Sequence, residues 1–144
     1  MKIVKMILSF ILIGLLFVPY ASVSYFSQEI FLSFIDVKVL SLTVIITVIY
    51  ILLSIFINKK KYFNNYIALG LLSVSLLVWF EKCKSLYVTN FEDSAGNIVA
   101  QAVMTNKKYL LAIGMVVMLI VLIIDIVLDK RKANSISKWN KKIK

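Results

Sequence analysis

The feature that most constrains this chain is a run of nineteen residues, Val39 to Ile57, without a single charged side chain. At about 1.5 Å rise per residue, a helix of that length matches the roughly 30 Å hydrocarbon core of a bilayer. A second run, Tyr109 to Leu128, is interrupted only by Asp125 close to its end. A third, Tyr66 to Phe80, holds fifteen residues before Glu81 and needs Tyr62, Phe63, Asn64 and Asn65 to reach both interfaces. Tyr62, Tyr66, Trp79 and Phe80 place rings at its two ends, where aromatic side chains favour the headgroup level. The first run, Met6 to Val18, follows Lys2 and Lys5 and precedes Ser22-Val23-Ser24, a pattern that also suits a cleaved signal peptide. We read it as an uncleaved helix with Pro19 and Tyr20 at its outer end.

Composition agrees with lipid as the solvent. Hydrophobic residues make up 61% of the 144 residues and the mean hydropathy is +0.93, against about 45–50% apolar in soluble domains. The expectation is an all-α membrane protein, a four-transmembrane-helix bundle forming one polytopic domain over residues 1–144. Its spans fall at about 6–23, 39–57, 63–80 and 109–128. Outer segments occupy 24–38 and 81–108, an inner loop 58–62, and a basic tail 129–144. The Lys-rich, Asn- and Ile-rich composition points to an AT-rich bacterial genome, hence to a bacterial cytoplasmic membrane.

Orientation follows from the cations. Lys and Arg number seventeen against seven Asp and Glu, a formal net charge of +10. With the N-terminus inside, the inner segments collect twelve basic residues, including Lys59 to Lys61 and Lys130 to Lys132, while the five outer ones are balanced by Glu29, Asp36, Glu81, Glu92 and Asp93. The positive-inside bias therefore predicts both termini in the cytoplasm. It also makes an anionic inner leaflet, and no nucleic acid, the partner of the basic charge.

The outer segment from Tyr20 to Lys38 interleaves Tyr25, Phe26, Phe31 and Phe34 with Ser and Glu, and is expected to lie on the membrane surface as a connector covering the outer helix ends, with a docking surface for a lipid or peptide as the alternative. Between the third and fourth spans, 86–91 and 98–105 are rich in Val, Ile, Tyr and Thr, with turn residues from Glu92 to Asn97 between them, so a small extracytoplasmic β-hairpin is expected. A short helix from Asn97 competes with it, because Ile98, Val99, Ala102 and Val103 also share a helical face. Phe91, Glu92 and Asp93 are the candidate outer contacts. The tail combines seven basic residues with Ile136, Trp139 and Ile143 at spacings of three and four. As a helix it would lie flat on the inner leaflet through Lys138, Trp139, Lys141 and Lys142.

Polar residues inside the spans are the candidate functional groups. Thr43, Thr47, Tyr50 and Ser54 recur at four, three and four residues, one stripe of the second span facing other helices. Gly14 in the first span, and Gly70 with Ser73 in the third, are expected to allow close helix contact. In the fourth, Met115, Met118, Leu122 and Asp125 keep helical spacing. A carboxylate inside a span calls for a proton or cation role or a partner cation. Asp125 sits one turn before Asp129 and the Lys130-Arg131-Lys132 cluster, so local pairing at the interface is the simpler expectation.

Several chemistries are excluded. The chain has no histidine, so Ser-His-Asp and Cys-His catalysis are absent, and Cys83 alone supports neither dithiol redox chemistry nor a zinc cluster. Its four glycines are isolated, so no phosphate-binding loop is present. The expectation is a non-enzymatic protein without cofactor or bound metal. It would act through contacts with a membrane protein or peptide, as an accessory subunit or an immunity-type protein, or by self-association. The alternative is a permeation device, a holin-like pore former or small transporter.

Overall fold

The computed structural model describes residues 1–25, 28–57, 61–85, 89–92 and 98–142. The described residues form four helices, a small antiparallel sheet and a short 3-10 turn. The order is α1 (Lys2–Leu16), β1 (Pro19–Tyr25), β2 (Gln28–Ser33), a single 3-10 turn (Phe34–Asp36), α2 (Lys38–Phe56), α3 (Lys61–Ser85), β3 (Thr89–Glu92), β4 (Ile98–Met104) and α4 (Lys108–Lys142).

Helix α1 packs on α2, α2 on α3, α3 on α4, and α4 back on α1, which closes a four-membered ring. The core stripes follow the spacing expected of such a bundle. They are Leu12 and Leu16 on α1, Leu40, Val44, Val48 and Ile51 on α2, Ala68 and Leu72 on α3, and Leu111, Met115, Met118 and Leu122 on α4, all at most 1% exposed. The outward faces are equally apolar. Phe10, Leu42, Ile49, Leu77, Ile113 and Ile120 are all about half exposed or more.

Among the described residues three helical stretches are long and apolar enough to cross a membrane: Lys38–Phe56, Phe63–Cys83 and Lys108–Ile136. The first run departs from expectation. Helix α1 stops at Leu16, and residues 19–25, assigned above in part to a span reaching 23, form a strand instead. Pro19 cannot continue a helix, and the β-branched and aromatic residues after it fit a pleated surface. At fifteen residues, α1 is about 22 Å long.

Within the outer segment expected as a surface connector, Gln28–Ser33 forms β2 and pairs with β1, antiparallel, with Ser22 opposite Phe31 and Val23 opposite Ile30 and an irregularity between Pro19 and Ala21. The hairpin expected between the last two long helices does form, as β3 paired with β4, so Ile98–Met104 is strand where a helix was the competing expectation. Strand β1 also pairs with β4, Ala21 opposite Met104 through Tyr25 opposite Ala100, so the two hairpins merge into one sheet of order β2-β1-β4-β3. Since α1 feeds β1 and β4 feeds α4, this sheet stands at one end of the bundle. Exposure rises along it, from Ala21 and Phe34 buried near the helices to Ile30 and Phe31 at 53% and 64%.

The junction between sheet and helices is specific. Thr105 donates to the Tyr20 carbonyl both from its backbone N–H, at 2.8 Å, and from its hydroxyl, at 3.0 Å. The Tyr20 ring stacks on Phe34 with centroids 4.3 Å apart. Asp36 Oδ2 accepts from the Ser33 N–H and hydroxyl, both at 3.0 Å, a capping box that turns the chain from β2 towards α2. Trp79 Nε1 donates to the Lys108 carbonyl at 3.2 Å and ties α3 to the start of α4.

The tail, expected as a separate segment lying flat, continues α4 instead. Residues 129–142 contain neither glycine nor proline, so nothing local ends the helix. Its thirty-five residues extend about 52 Å, well beyond the other three helices.

Candidate functional site

The end of the bundle opposite the sheet holds a buried ionic cluster built from three helices. Each contributor lies on its helix's core stripe. On α1, Lys5, Ser9, Leu12 and Leu16 are buried at steps of four, three and four. On α3 the stripe is Asn65, Ala68, Leu72 and Ser75, and on α4 it runs from Leu111 through Leu122 to Asp125. Continuing an apolar stripe by one more turn therefore delivers a polar side chain to the centre in each case.

Lys5 forms an ion pair with Asp125, their side chains only 5% and 3% exposed. The Lys5 ammonium also donates to Asn65 Oδ1 at 2.8 Å, and Asn65 Nδ2 donates to Asp125 Oδ2 at 3.3 Å. The Lys5–Asn65 bond joins α1 and α3, helices that are diagonal in the ring. Opposite charges in a low-dielectric interior attract strongly, but the cost of desolvating them offsets much of that attraction unless the remaining valences are satisfied. Asn65 supplies one such bond to each partner, because an amide carries a donor and an acceptor together.

This corrects the local pairing expected for Asp125. Asp125 forms its ion pair with a lysine 120 positions earlier in the chain, where the neighbouring Lys130 cluster was expected to supply the cation. Lys130 instead places its ammonium 5.9 Å from the centroid of the Tyr66 ring, towards the outside. The sequence reading treated Lys5 only as a topological charge and Asn65 only as an interface residue. The available signal was their position, since both fall on the same helical stripe as core leucines or alanines.

Ser9 lies one turn from Lys5 towards the sheet. It is fully buried, and its hydroxyl has no hydrogen-bond partner among the described residues. Other helix hydroxyls donate back to carbonyls one turn earlier in the same helix: Thr43 to Leu40 at 2.9 Å, Thr47 to Thr43 at 2.7 Å, Ser54 to Ile51 at 2.7 Å and Ser73 to Leu69 at 2.9 Å.

The stripe of α2 does face a neighbour, and that neighbour is α3. Thr47 is 1% exposed, with its oxygen 3.3 Å from that of Ser75, and Tyr50 donates to Asn64 Oδ1 at 3.4 Å. Thr43 and Ser54 are only half-buried. Ser54, with Tyr50, Leu53, Ile57 and Asn64, lines a cleft of about 140 Å³ between α2 and α3. The small-residue expectation is displaced. A side chain at Gly14 or Gly70 would meet nothing within 4 Å, whereas one at Gly114 would meet Leu15 Cδ1 at 2.8 Å and Leu12 Cδ2 at 3.1 Å. Gly114 is where α1 and α4 approach closely.

Of the candidate outer contacts, Phe91 and Glu92 lie on β3 opposite Ala100 and Ile98, while Asp93 falls outside the described residues. Lys138, Trp139, Lys141 and Lys142 sit on the last turns of α4. Among the described residues no group of His, Cys, Asp or Glu has the arrangement of a metal site.

No family model, curated protein or solved structure matches the chain.

Proposed function

We propose that this chain is a multi-pass protein of a bacterial cytoplasmic membrane, with four helices in the bilayer and both termini inside, and that it works through contacts made by its outer sheet. The observation that carries this reading is the merging of two hairpins, some seventy residues apart in the chain, into one four-stranded sheet at one end of an apolar bundle. A simple connector needs no such structure. The sheet carries exposed Ile30, Phe31 and Val103 beyond the helices, and aromatic anchors at exposed positions are the usual contact residues of an interface. The partner class is a membrane protein or a peptide, as for an accessory subunit or an immunity-type protector, with no enzymatic step and no cofactor.

The helices support the membrane reading by their outward faces, which carry large apolar side chains on every side. The fifteen residues of α1 reach across by way of Phe17, Val18 and the start of β1, with the bilayer thinned locally or the helix set slightly inward. The basic end of α4 lies where an anionic inner leaflet would meet it. A permeation device would call for a continuous polar path, whereas between the Lys5 cluster and the sheet the buried side chains are mostly leucine, valine and methionine, with Ser9, Thr47 and Ser75 as scattered hydroxyls.

The test is site-specific photo-crosslinking in intact cells, with a photoreactive residue replacing Phe31 or, as lipid-facing control, Leu77, alongside a potential-sensitive dye. The reading expects a discrete protein adduct at position 31, none at 77, and an unchanged membrane potential on expression. Loss of the potential without an adduct would favour the pore.

A further inference from the structure

We propose that the Lys5–Asn65–Asp125 cluster is a latch that docks the first helix and its strand onto the last ones, so that the outer sheet is completed only when this ion pair at the opposite end is made. The inference rests on the membrane reading above for its sidedness, but its core is a set of contacts that stands without it.

Three tiers join the beginning of the chain to its end. At the far end is the ion pair between α1 and α4, bridged by Asn65. In the middle Leu12 and Leu15 press on Gly114, where no side chain keeps the helices apart. At the sheet end β1 pairs with β4 over five registered residues, and Thr105 clasps the Tyr20 carbonyl. Helix α1 runs the length between the first and last tiers. Only Phe17 and Val18 separate it from β1, so the position of one fixes the other.

Helix α1 also lacks the means to hold itself in place. Between Lys5 and Leu16 it offers eleven residues, one of them the buried Ser9, about 16 Å of helix against a hydrocarbon core of roughly 30 Å. A segment of that length is held by protein contacts more than by lipid. Lys5 buried without its carboxylate would be an uncompensated charge and would favour withdrawal of α1 towards water. With Asp125 present the same lysine becomes a cross-link. Since Asp125 is made 120 residues after Lys5, docking of α1 and completion of the β1–β4 ladder must wait for α4.

The test uses the full chain in detergent or native vesicles, on a Cys83→Ser background. One reporter is disulfide formation between Ser22→Cys and Val103→Cys, which are register partners across β1 and β4. A second is alkylation of Ser9→Cys by N-ethylmaleimide, since Ser9 is fully buried while α1 is docked. Asp125→Ala is expected to lower disulfide yield about tenfold and to expose the cysteine at position 9. The charge exchange Lys5→Asp with Asp125→Lys, for which Asn65 can turn its amide, restores both readouts. If Asp125→Ala exposes position 9 yet leaves the disulfide unchanged, the pair holds α1 without governing the sheet and the latch is refuted. Unchanged labelling in both assays refutes it as well, as does a charge exchange no better than the single variant. Carbonate extraction scored in parallel judges the membrane reading separately: a chain released into the soluble fraction sinks that reading, while the two reporters still decide the latch.

Discussion

Gly114 gives the sharpest quantitative expectation, because the structure and the sequence pattern choose different glycines as the close-contact position. A Cβ added at Gly114 would lie 2.8 Å from Leu15 Cδ1 and 3.1 Å from Leu12 Cδ2, while one at Gly70 would meet nothing within 4 Å. Replacing a mid-helix glycine by alanine gains up to about 1 kcal/mol from helix propensity alone. At Gly70 nothing opposes that gain. At Gly114 both clashing atoms are methyl ends of leucines, which can yield by a few tenths of an ångström, so the steric cost sits near the lower end of the roughly 1–3 kcal/mol of overpacked cores. Gly114→Ala is therefore expected to be neutral to destabilising by about 1 kcal/mol, and Gly70→Ala neutral to stabilising. Leucine widens the gap, since Gly114→Leu drives three further carbons into the α1–α4 seam while Gly70→Leu extends into open space. Thermal unfolding in dodecylmaltoside, followed by far-ultraviolet circular dichroism, ranks the four variants. Equal midpoints for Gly114→Leu and Gly70→Leu would refute the close approach of α1 to α4.

The other expectations are briefer. Asp125→Ala strands a buried lysine and should cost about 3–5 kcal/mol, whereas Lys5→Met with Asp125→Leu removes both charges and should cost much less; chemical denaturation of the singles and the double gives the coupling. Thr47→Val should cost under about 1 kcal/mol, because Ser75 keeps its bond to the Leu71 carbonyl at 3.1 Å when the hydroxyl is lost, and the same denaturation series checks it. For sidedness, Ser24→Cys should react with a membrane-impermeant maleimide added outside and Ser135→Cys only after permeabilisation; the reverse pattern would invert the topology.

The long helices were legible because hydrophobic burial is additive along a run: nineteen uncharged residues from Val39 to Ile57 need no partner to reveal them. The α2 helix Lys38–Phe56 differs from that run by one residue at each end. The β3–β4 hairpin was legible for a similar reason, since turn residues between two β-prone runs are a local signal. What was illegible is non-local. Nothing in Gln28–Ser33 announces that it pairs with Pro19–Tyr25, because its alternation is blurred by Ile30, Phe31 and Leu32 in succession. Merging of the two hairpins depends on β1 meeting β4, a pairing across nearly eighty residues. Gly14, Gly70 and Gly114 look alike in sequence, and only the rotation of each helix decides which one faces a neighbour.

Asp125 shows the same limit in energetic form. That a carboxylate on a core stripe needs a cation follows from the cost of burying it alone, and this much the sequence supplies. Which cation it meets does not follow, since Lys130, Arg131 and Lys132 are nearer along the chain and Lys5 is nearly the whole chain away. Helix geometry settles the choice: Asp125 follows Leu122 on the inward stripe, whereas Lys130 falls on the outward side and meets Tyr66. A cation reached by a local snorkelling side chain could have formed as soon as α4 was made. One supplied by α1 joins the two ends of the chain, so the most costly polar group in the bundle is placed where its neutralisation requires the ring of helices to close.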